Sequence, residues 1–484
     1  MPLSKKDDTM SYGIYIGKNY STAGHAWLAG YGDEPSSHWL EIVPRQTHPE
    51  GATITVGVTA DAKLPGQLTQ IPQVSETARH LRVSYSYYLG VPAPLTNGGL
   101  NEHGVAVRDI WSPTRPDLVA LTPPDQTGPN YSDLARIVLE RARTAREGVD
   151  LIEALIARHG YSCYGGNSHI IADADEAWVV IEFAGGLGLW VAERLGPDSI
   201  RASRPGYIGQ IPAEPTADYR FPEHFVSTAV QKGWYDPASG PFDVNAVYGE
   251  GKGRSQAVQW IEAEMRSRAA RPEKIRLEDV IWAIATETLT GDTAGYGQVV
   301  PLKDPGHHSL RMMWHAPVGP VTAPLLPVFM GQTEVPAEYG PHRYLTAGES
   351  ARFIDNRNDE VVPERISVVR QGQETTRSAF QIQKRLMHLT FQAGEVARKD
   401  IWDHWRLMEA HAATELSGTL KAAEILIAAG EDNLAAQILN RFSCGHLMQA
   451  LQDAEALANA YEARLRNAGA LNLSAKARVP KQIW

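Results

Sequence analysis

The chain has 484 residues, of which 43% are hydrophobic and 21% charged, and its formal net charge is -10. These values are typical of a folded globular protein and exclude a disordered or fibrous chain. No basic block offsets the negative charge, which argues against a nucleic-acid partner because phosphate neutralisation requires clustered Lys and Arg. We therefore expect a small-molecule partner.

Cysteine use and hydropathy restrict the setting further. The two cysteines, Cys163 and Cys444, are far apart and in no metal-ligand or redox spacing, so no disulfide framework is predicted. No apolar run approaches the roughly 18 to 20 residues of a membrane helix, and the N-terminal MPLSKKDDTM lacks the apolar region of a secretory signal. We expect a reduced, cytoplasmic protein without a membrane partner.

The first half of the chain, from Ser11 to about Tyr207, is predicted to be rich in strands. Apolar segments bounded by Gly and Pro indicate strands at GIYIG, HWLEIVP, ATITVGV and LRVSYSYYLG, and at GVAVRDIW after a tight NGG turn. The apolar spacing in YSDLARIVLERARTAREGVDLIEALIARHGY predicts two helices that are broken near Arg146–Gly148. SHIIADADEAWVVIEF is predicted to form two strands around the turn ADADEA, and GLWVAERL a third.

From about Phe221 the pattern changes to helices, separated by loops rich in Pro, Gly and His such as LKDPGHHS and HAPVGPVTAPLLPVFMGQTEVPAEYG. The stretch from about Thr376 to Asn467 is predicted to be helical from its runs of Ala, Leu, Glu, Gln and Arg. We expect stacked layers of sheet and helix. The C-terminal helices would form either a lid over a pocket or an oligomer interface.

Several familiar catalytic motifs are absent from the sequence: a Walker loop, GxGxxG after a strand, HExxH and GxSxG. The adjacent His307 and His308 are expected to point apart and to be ordinary loop residues, because a metal pair needs i,i+4 or alternate strand positions. Cys163 in GYSCYGG is predicted to be a packed residue rather than a nucleophile. No metal and no cofactor are predicted.

The junction of Met10 and Ser11 offers a different chemistry. Ser11 directly precedes the predicted strand GIYIG, behind a polar leader. A Ser, Thr or Cys at the start of a mature chain can supply a nucleophile and, through its own α-amino group, the general base. The α-amino pKa of about 7.7 to 8.0 in model peptides suits this role near neutral pH. Ser11 is therefore a candidate nucleophile.

Segments that span most of the chain are similar, in order and spacing, to those of one known family. They are SYGIYIGKNYST, DEPSSHWLEIVPRQTHPEG, GLNEHGVAV, LARIVLERARTAREGVDLIEALIARHG, IIADADEAWVVIE, WVAERL, KIRLEDVIWAIATETLTGD and WHAPVGPVTAPLLPVFMGQTEVPAEY. They resemble the dipeptidase A type of N-terminal-nucleophile hydrolases, relatives of penicillin V acylase and bile salt hydrolase. The resemblance implies an α+β fold, a four-layer αββα sandwich of two antiparallel sheets covered by helices. It also implies hydrolysis of an amide or peptide bond through an acyl-enzyme.

The resemblance further implies catalytic site residues. The family's nucleophilic Cys falls on Ser11, and the Asn of its Leu-Asn-Glu-x-Gly segment falls on Asn101, whose amide would donate to the oxyanion. The local sequence around Asn101 equally fits a hairpin turn. The acid that lies near the α-amino group falls on Asp33, but Gly30 stands where the family has an arginine. An ungapped comparison puts Arg204 where the family has an Asn, and we hypothesise that its guanidinium replaces the one missing at Gly30.

The predicted function is hydrolysis of a dipeptide or small amide by Ser11. The alternatives are an acyltransferase on the same scaffold and a catalytically silent member that keeps its leader. We predict three parts: a leader or propeptide at 1–10, a hydrolase core at 11–375, and a helical region at 376–484 that packs on the core. The leader is either an autocleaved propeptide or the result of an upstream start site, with Met10 as the true initiator. We also expect a homo-oligomer.

Overall fold

The computed structural model describes residues 11–32, 37–85, 88, 90–92, 94–203, 208–290, 295–341 and 377–471. These residues form twenty strands, ten α-helices and four short 3-10 helices. This mixture of helices and antiparallel sheets agrees with the α+β class expected from the sequence. Within the described residues, no helix combines the length and apolar character needed to cross a bilayer.

Two large antiparallel sheets hold most of the strands. Six strands form the first sheet, in this spatial order: β14 (Ile200–Ser203), β1 (Tyr12–Ile16), β2 (Ala26–Gly32), β18 (Tyr296–Leu302), β19 (Met312–Ala316) and β20 (Leu326–Phe329). Eight strands form the second: β16 (Tyr219–Arg220), β13 (Trp190–Leu195), β12 (Ala177–Glu182), β11 (Asn167–Ala172), β10 (Ala106–Ile110), β9 (Leu95–Asn101), β8 (His80–Tyr85) and β3 (His38–Val43). Three two-stranded ribbons pair β4 (Gln46–Thr47) with β7 (Glu76–Thr77), β5 (Thr53–Val56) with β6 (Thr69–Pro72), and β15 (Gln210–Ile211) with β17 (Phe242–Asp243).

The helices are unequal in length, and the longest follow the sheets in the chain. In chain order they are α1 (Pro116–Val119), α2 (Tyr131–Arg141), α3 (Ala145–His159), α4 (Phe225–Gln231), α5 (Val244–Tyr248), α6 (Gln256–Ala269), α7 (Leu277–Ala285), α8 (Ala379–Ala393), α9 (Glu395–Ala428) and α10 (Asp432–Asn467). The last three confirm the helical stretch predicted from about Thr376 to Asn467.

The two large sheets face each other across a shared core. Tyr15 of β1 and Ile170 of β11 belong to one continuous cluster of buried apolar side chains. On the opposite face of the eight-stranded sheet, α2 and α3 pack through Val138 and Ile152. On the opposite face of the six-stranded sheet, α6 and α7 pack through side chains such as Ile261. Alternation along each strand therefore sends one set of apolar residues between the sheets and the other set under helices.

Most predicted strands of the first half are confirmed. GIYIG, HWLEIVP, ATITVGV, LRVSYSYYLG and GVAVRDIW correspond to β1, β3, β5, β8 and β10, and the later segments correspond to β11, β12 and β13. The predicted NGG turn is wrong, because Asn97, Gly98 and Gly99 lie inside β9. Close packing requires these glycines: a Cβ at Gly98 would lie 2.3 Å from Gln298 Oε1, and one at Gly99 would lie 2.2 Å from Leu81 O.

The predicted helix break at Arg146–Gly148 is also wrong by several residues. The first helix ends at Arg141, and the second begins after Thr144, whose hydroxyl accepts the backbone N–H three residues later at 3.1 Å. Gly148 lies inside α3, where a Cβ would come within 2.9 Å of Ile171. The glycine allows the helix to approach the sheet, and the cap rather than the glycine sets the boundary.

The described region from Phe221 onward contains four strands that the sequence did not indicate: the short β17 and the three longer strands β18, β19 and β20. β18, β19 and β20 complete the six-stranded sheet. Pro301 of β18 lies beyond the pairing with β19, which ends at Val299, and remains opposite Trp27 of β2.

The C-terminal helices are hydrogen-bonded to the segment before β20. Trp405 Nε1 donates to Thr322 O at 2.7 Å, and Glu409 Oε1 accepts from the N–H of Leu325 at 2.7 Å. The described part of the predicted C-terminal region, residues 377–471, therefore contacts the sheet-forming part of the chain. The division into domains stays a prediction.

Candidate active site

Ser11 directly precedes β1 and is buried, with 6% of its surface exposed. In the strand that follows, Gly13 lies opposite Gly30 of β2 on one side and opposite Ser203 of β14 on the other. Residues two apart in a strand share a face, so Ser11 lies on the same face as Gly13. A Cβ at Gly13 would lie 3.0 Å from Ile110 of the eight-stranded sheet. The candidate nucleophile is thus on the side of β1 that faces the second sheet.

The guanidinium of Arg108 occupies the space that the glycines of β1 and β2 leave open. Arg108 is fully buried in β10, and its Nε lies 3.2 Å from the position that a Cβ of Gly30 would take. Its Nη1 donates to the backbone and side-chain oxygens of Asn97 at 2.9 and 2.6 Å, and its Nη2 donates to Tyr31 O at 2.7 Å. Tyr31 lies in β2 and Asn97 in β9. One side chain therefore joins the two sheets beside the start of β1.

Buried charges surround this guanidinium. Asp109 Oδ1 accepts from Arg108 Nη1, and the ring of Tyr296 lies 5.1 Å from the guanidinium carbon. His169 lies opposite Asp109 in β11, and its Nδ1 is 2.8 Å from Glu182 Oε1. Burial lowers the pKa of His169, but the Glu182 carboxylate outweighs this and raises it, while burial raises the pKa of Glu182. Both shifts favour a pair that retains one proton.

Asn97 also connects the guanidinium to a wall of aromatic rings. Since its Oδ1 accepts from the guanidinium, its Nδ2 donates to His38 Nε2 at 3.2 Å, which requires a neutral imidazole with its proton on Nδ1. The His38 ring is stacked between Tyr85 and Tyr296, at centroid distances of 5.3 and 5.5 Å. Phe380 of α8 lies 5.9 Å from the same ring. The C-terminal helices thus contribute to the wall of the candidate site.

Ser203 places a second hydroxyl in the space between the sheets. It lies opposite Gly13 in the pairing of β14 with β1, so its side chain has the same orientation toward the second sheet. Ser203 is fully buried, and its Oγ has no hydrogen-bond partner among the described residues. A buried hydroxyl without a partner costs free energy. The hydrogen of this hydroxyl therefore has no acceptor among the described residues.

Asn101 is hydrogen-bonded in a way that is not compatible with an oxyanion role. Its Nδ2 donates to Leu139 O and Ala142 O at 3.2 and 2.7 Å, and its Oδ1 accepts from the N–H groups of His103 and Val105 at 3.0 Å each. These bonds use both amide hydrogens and tie the turn after β9 to the end of α2. Asn101 also lies at the opposite end of β9 from the guanidinium. The turn interpretation is therefore the correct one, and the oxyanion assignment is corrected.

The other two predicted site residues, Asp33 and Arg204, lie outside the described residues. The replacement of a missing cation at Gly30 by Arg204 stays a prediction.

Sequence reasoning missed Arg108 and Ser203. The available signal for Arg108 was its position in GVAVRDIW, where alternation puts an arginine on the face that otherwise carries Ala106 and Ile110.

The two adjacent histidines and Cys163, which the sequence analysis also considered, have local structural roles. The rings of His307 and His308 lie 4.3 Å apart, so the expectation that they point apart is wrong. His307 Nδ1 accepts the N–H of Ser309 at the start of a short helix. Cys163 is buried, and burial raises the pKa of its thiol, in agreement with a packed residue. Among the described residues, no group of three or more His, Cys, Asp or Glu is placed to hold a metal ion.

Comparison with known proteins finds a similarity in the middle of the chain. Residues 73–263 match the model of peptidase family C69. The match confirms the resemblance to dipeptidases over that segment, which runs from the end of β6 into α6. A probable dipeptidase from Salmonella dublin is 30% identical to the chain over 156 residues, which are 31% of this chain and 35% of that protein. The matched segment thus spans about a third of the relative's length.

Solved structures show a weaker similarity. Two variants of the conjugated bile acid hydrolase from Clostridium perfringens each cover 63% of this chain, and 88% and 89% of their own chains. Their sequence identities are 9% and 11%, and the TM-scores are 0.31 and 0.28. TM-scores this low carry no argument about the present chain.

Proposed function

We propose that the protein hydrolyses amide or peptide bonds, with Ser11 as an N-terminal nucleophile and a dipeptide or small amide as substrate. The match of residues 73–263 to peptidase family C69 supports hydrolase chemistry. The observation that carries the choice of nucleophile is the buried position of Ser11 at the start of β1, on the face that carries Gly13 opposite Ser203.

The proposed reaction has two steps. In acylation, Ser11 Oγ forms an ester bond with the substrate carbonyl carbon while the α-amino group of Ser11 takes the hydroxyl proton. The proton passes to the leaving nitrogen as the amide C–N bond breaks, and an amine is released. In deacylation, water adds to the ester, the acid is released and Ser11 regains its hydroxyl proton. Residues 1–10 must be absent from the active form, because a peptide-bonded nitrogen does not accept a proton.

Ser203 is proposed as a hydrogen-bond donor to the tetrahedral oxyanion, in place of Asn101. The buried hydroxyl of Ser203, which has no hydrogen-bond partner in the described part of the chain, supports this choice. Two facing sheets with helices on both outer faces support the proposal of a four-layer αββα sandwich. The reduced, cytoplasmic compartment and the homo-oligomeric assembly expected from the sequence belong to the same proposal.

The first test is the N-terminal sequence and intact mass of the purified protein. We expect the wild type to begin at Ser11 and the Ser11→Ala variant to keep its leader, which would show self-processing. Ser21→Ala is the matched control, because Ser21 is also buried and its Oγ accepts hydrogen bonds from Trp27 Nε1 at 3.0 Å and from the N–H of Ala23 at 3.3 Å. This variant should be processed like the wild type. If the wild type retains Met1, the nucleophile assignment is wrong and the silent alternative is favoured.

The second test is an activity screen with unblocked dipeptides and N-acyl amino acids, following release of free amine. Adding methylamine distinguishes the acyltransferase alternative, because an acyl-Ser11 intermediate would then yield the methylamide. An acylating, serine-directed probe should label Ser11 in the wild type and label nothing at that position in Ser11→Ala. Labelling without turnover of any compound in the screen would restrict the proposal to the acylation step.

A further inference from the structure

We propose that Arg108 is a positioning residue that favours the unprotonated, basic form of the Ser11 α-amino group. This inference rests on the proposed function, since the amine acts as a base only in that mechanism. Arg108 lies in β10 of the eight-stranded sheet, whereas Ser11 lies at the start of β1 in the six-stranded sheet.

The first support is steric. The Cβ position of Gly13 lies 3.4 Å from Arg108 Cγ, and the Cβ position of Gly30 lies 3.2 Å from Arg108 Nε. A side chain at position 30 would also come within 2.3 Å of Tyr12 O. The two glycines and the arginine thus form one packed unit. Ser11 is two residues before Gly13, about 7 Å along the strand, and Tyr31, whose carbonyl accepts from Arg108 Nη2, lies opposite Tyr12, the residue after Ser11.

The second support is the orientation of the guanidinium. Nη2 donates to Tyr31 O in β2, the strand next to β1, whereas Nη1 donates to Asn97 and Asp109 on the other sheet. Among the described residues, the carboxylate that accepts from this guanidinium, Asp109, therefore belongs to the other sheet. The positive charge is directed at the sheet whose strand begins at Ser11, and a nearby positive charge disfavours a second one.

Other titratable groups around the site come from several strands, and none of those described is a second carboxylate facing β1. They include Tyr31 of β2, His38 of β3, Asp109 of β10, His169 of β11, Glu182 of β12, Tyr296 of β18 and His315 of β19. His38 accepts through Nε2 and is therefore neutral. His169 and Glu182 are paired with each other behind Asp109. Asp33, which the resemblance puts near the amine, lies outside the described residues.

A purely structural role of Arg108 has a different signature. Nη2 holds Tyr31 O, and Tyr31 pairs with Tyr12, the residue after Ser11. Loss of that bond alone would lower activity at every pH. The proposed role instead predicts a change in the pH at which activity appears.

The test compares Arg108→Met with Arg108→Lys in the full chain. The readouts are the kcat/KM profile between pH 5 and 9, on the best dipeptide of the screen, and the rate at which cyanate carbamoylates the Ser11 amine, followed by mass spectrometry. Cyanate reacts with the unprotonated amine, so its profile does not depend on turnover. We expect Arg108→Met to move both profiles to higher pH by about 0.5 to 1 unit. Arg108→Lys, which keeps the charge, should move them by less than about 0.3 unit.

Arg311→Met is the matched control. Arg311 also joins the two sheets, because its Nε donates to Glu102 O at 3.0 Å and its Nη1 to Lys303 O at 2.9 Å. Lys303 follows the end of β18 opposite to Tyr296, about 20 Å from the start of β1. This variant should be less stable than the wild type but should show unshifted pH profiles.

The outcomes separate the two proposals. Unshifted profiles in a folded Arg108→Met protein would overturn the role of Arg108 and leave the proposed function intact. If Arg108→Met does not fold, the Asp109→Asn variant is used instead. It leaves the guanidinium charge without the Asp109 carboxylate and should move both pH profiles to lower pH. The absence of such a shift would overturn the inference. A wild type that does not begin at Ser11, or full activity of Ser11→Ala, would overturn both proposals.

Discussion

Glu409 connects the C-terminal helices to the core, and replacing it with Gln should remove its pH-dependent contribution to the free energy of unfolding. Glu409 is buried in α9, and its Oε1 accepts from the N–H of Leu325 and from Arg406 Nη2, both at 2.7 Å. Burial raises its pKa from 4.5 to about 7, although the charge of Arg406 opposes this. Gln keeps an acceptor for both donors but does not ionise.

The sign and size follow from the linkage between proton binding and folding. Between pH 4.5 and about 7, the folded protein holds a proton on Glu409 that the unfolded chain releases. The free energy of unfolding of the wild type therefore falls as the pH rises through this interval, and the loss stays constant above it. One pH unit corresponds to about 1.4 kcal/mol, so the interval is worth about 3 kcal/mol. The difference between Glu409→Gln and wild type should change by roughly 2 to 3 kcal/mol between pH 5 and pH 8, in favour of the variant.

The assay is urea unfolding followed by tryptophan fluorescence at several pH values between 5 and 8. A constant difference between the two proteins, whatever its size, would arise from the altered contact with Arg406 and would refute the reasoning. Glu424→Gln is the control, because Glu424 is exposed on the same helix and is paired with Lys421 at 3.0 Å. Its stability difference from wild type should be small and the same at every pH.

Three further predictions concern the candidate site. Asn101→Ala should lower the free energy of unfolding by about 2 to 4 kcal/mol, because it leaves buried carbonyl and N–H groups unpaired. The kcat of the folded variant should stay within about threefold of the wild-type value, and a loss of about 100-fold in kcat without destabilisation would restore the oxyanion role. Gly30→Ala should cost about 1 to 3 kcal/mol through its collision with Tyr12 O, whereas Gly196→Ala, where an added Cβ meets nothing within 4 Å, should leave the melting temperature unchanged; equal melting temperatures would contradict the collision. Ser203→Ala should leave stability unchanged or raised but lower kcat/KM by about tenfold, and full activity would remove Ser203 from the proposed site.

Local patterns in the sequence predicted many of the secondary-structure elements. The alternation of GIYIG and the apolar spacing around Leu134 and Ile152 depend only on neighbouring residues, and strand and helix formation follow from them. The errors arose where a distant contact decides the outcome. Gly98 and Gly99 resemble a turn locally, but Gln298 and Leu81, far away in the chain, leave no room for side chains there. β18 and β20 were missed because each contains a proline, Pro301 and Pro327, which is uncommon inside a strand. β20 is the edge strand of its sheet, where a proline is tolerated.

Some residues of the candidate site could likewise be predicted from local sequence, whereas others required the tertiary structure. Ser11 could be predicted, because the mechanism needs only a hydroxyl residue ahead of an apolar strand. The correction of Asn101 required the position of the end of α2, which accepts both of its amide hydrogens. Sequence similarity alone did not distinguish this anchor from an oxyanion donor, since either role calls for the same amide.

By itself the sequence determined the local elements, the candidate nucleophile and the likeness to a peptidase family, because each of these depends on short segments in a fixed order. Only the tertiary structure decided which groups meet at Ser11. Arg108 is distant in the chain from both Gly13 and Gly30, yet its guanidinium fills the volume above them. Such a contact exists only after two sheets have packed face to face. No local pattern encodes it, because the space for the charge is created by side chains that are absent from two other strands.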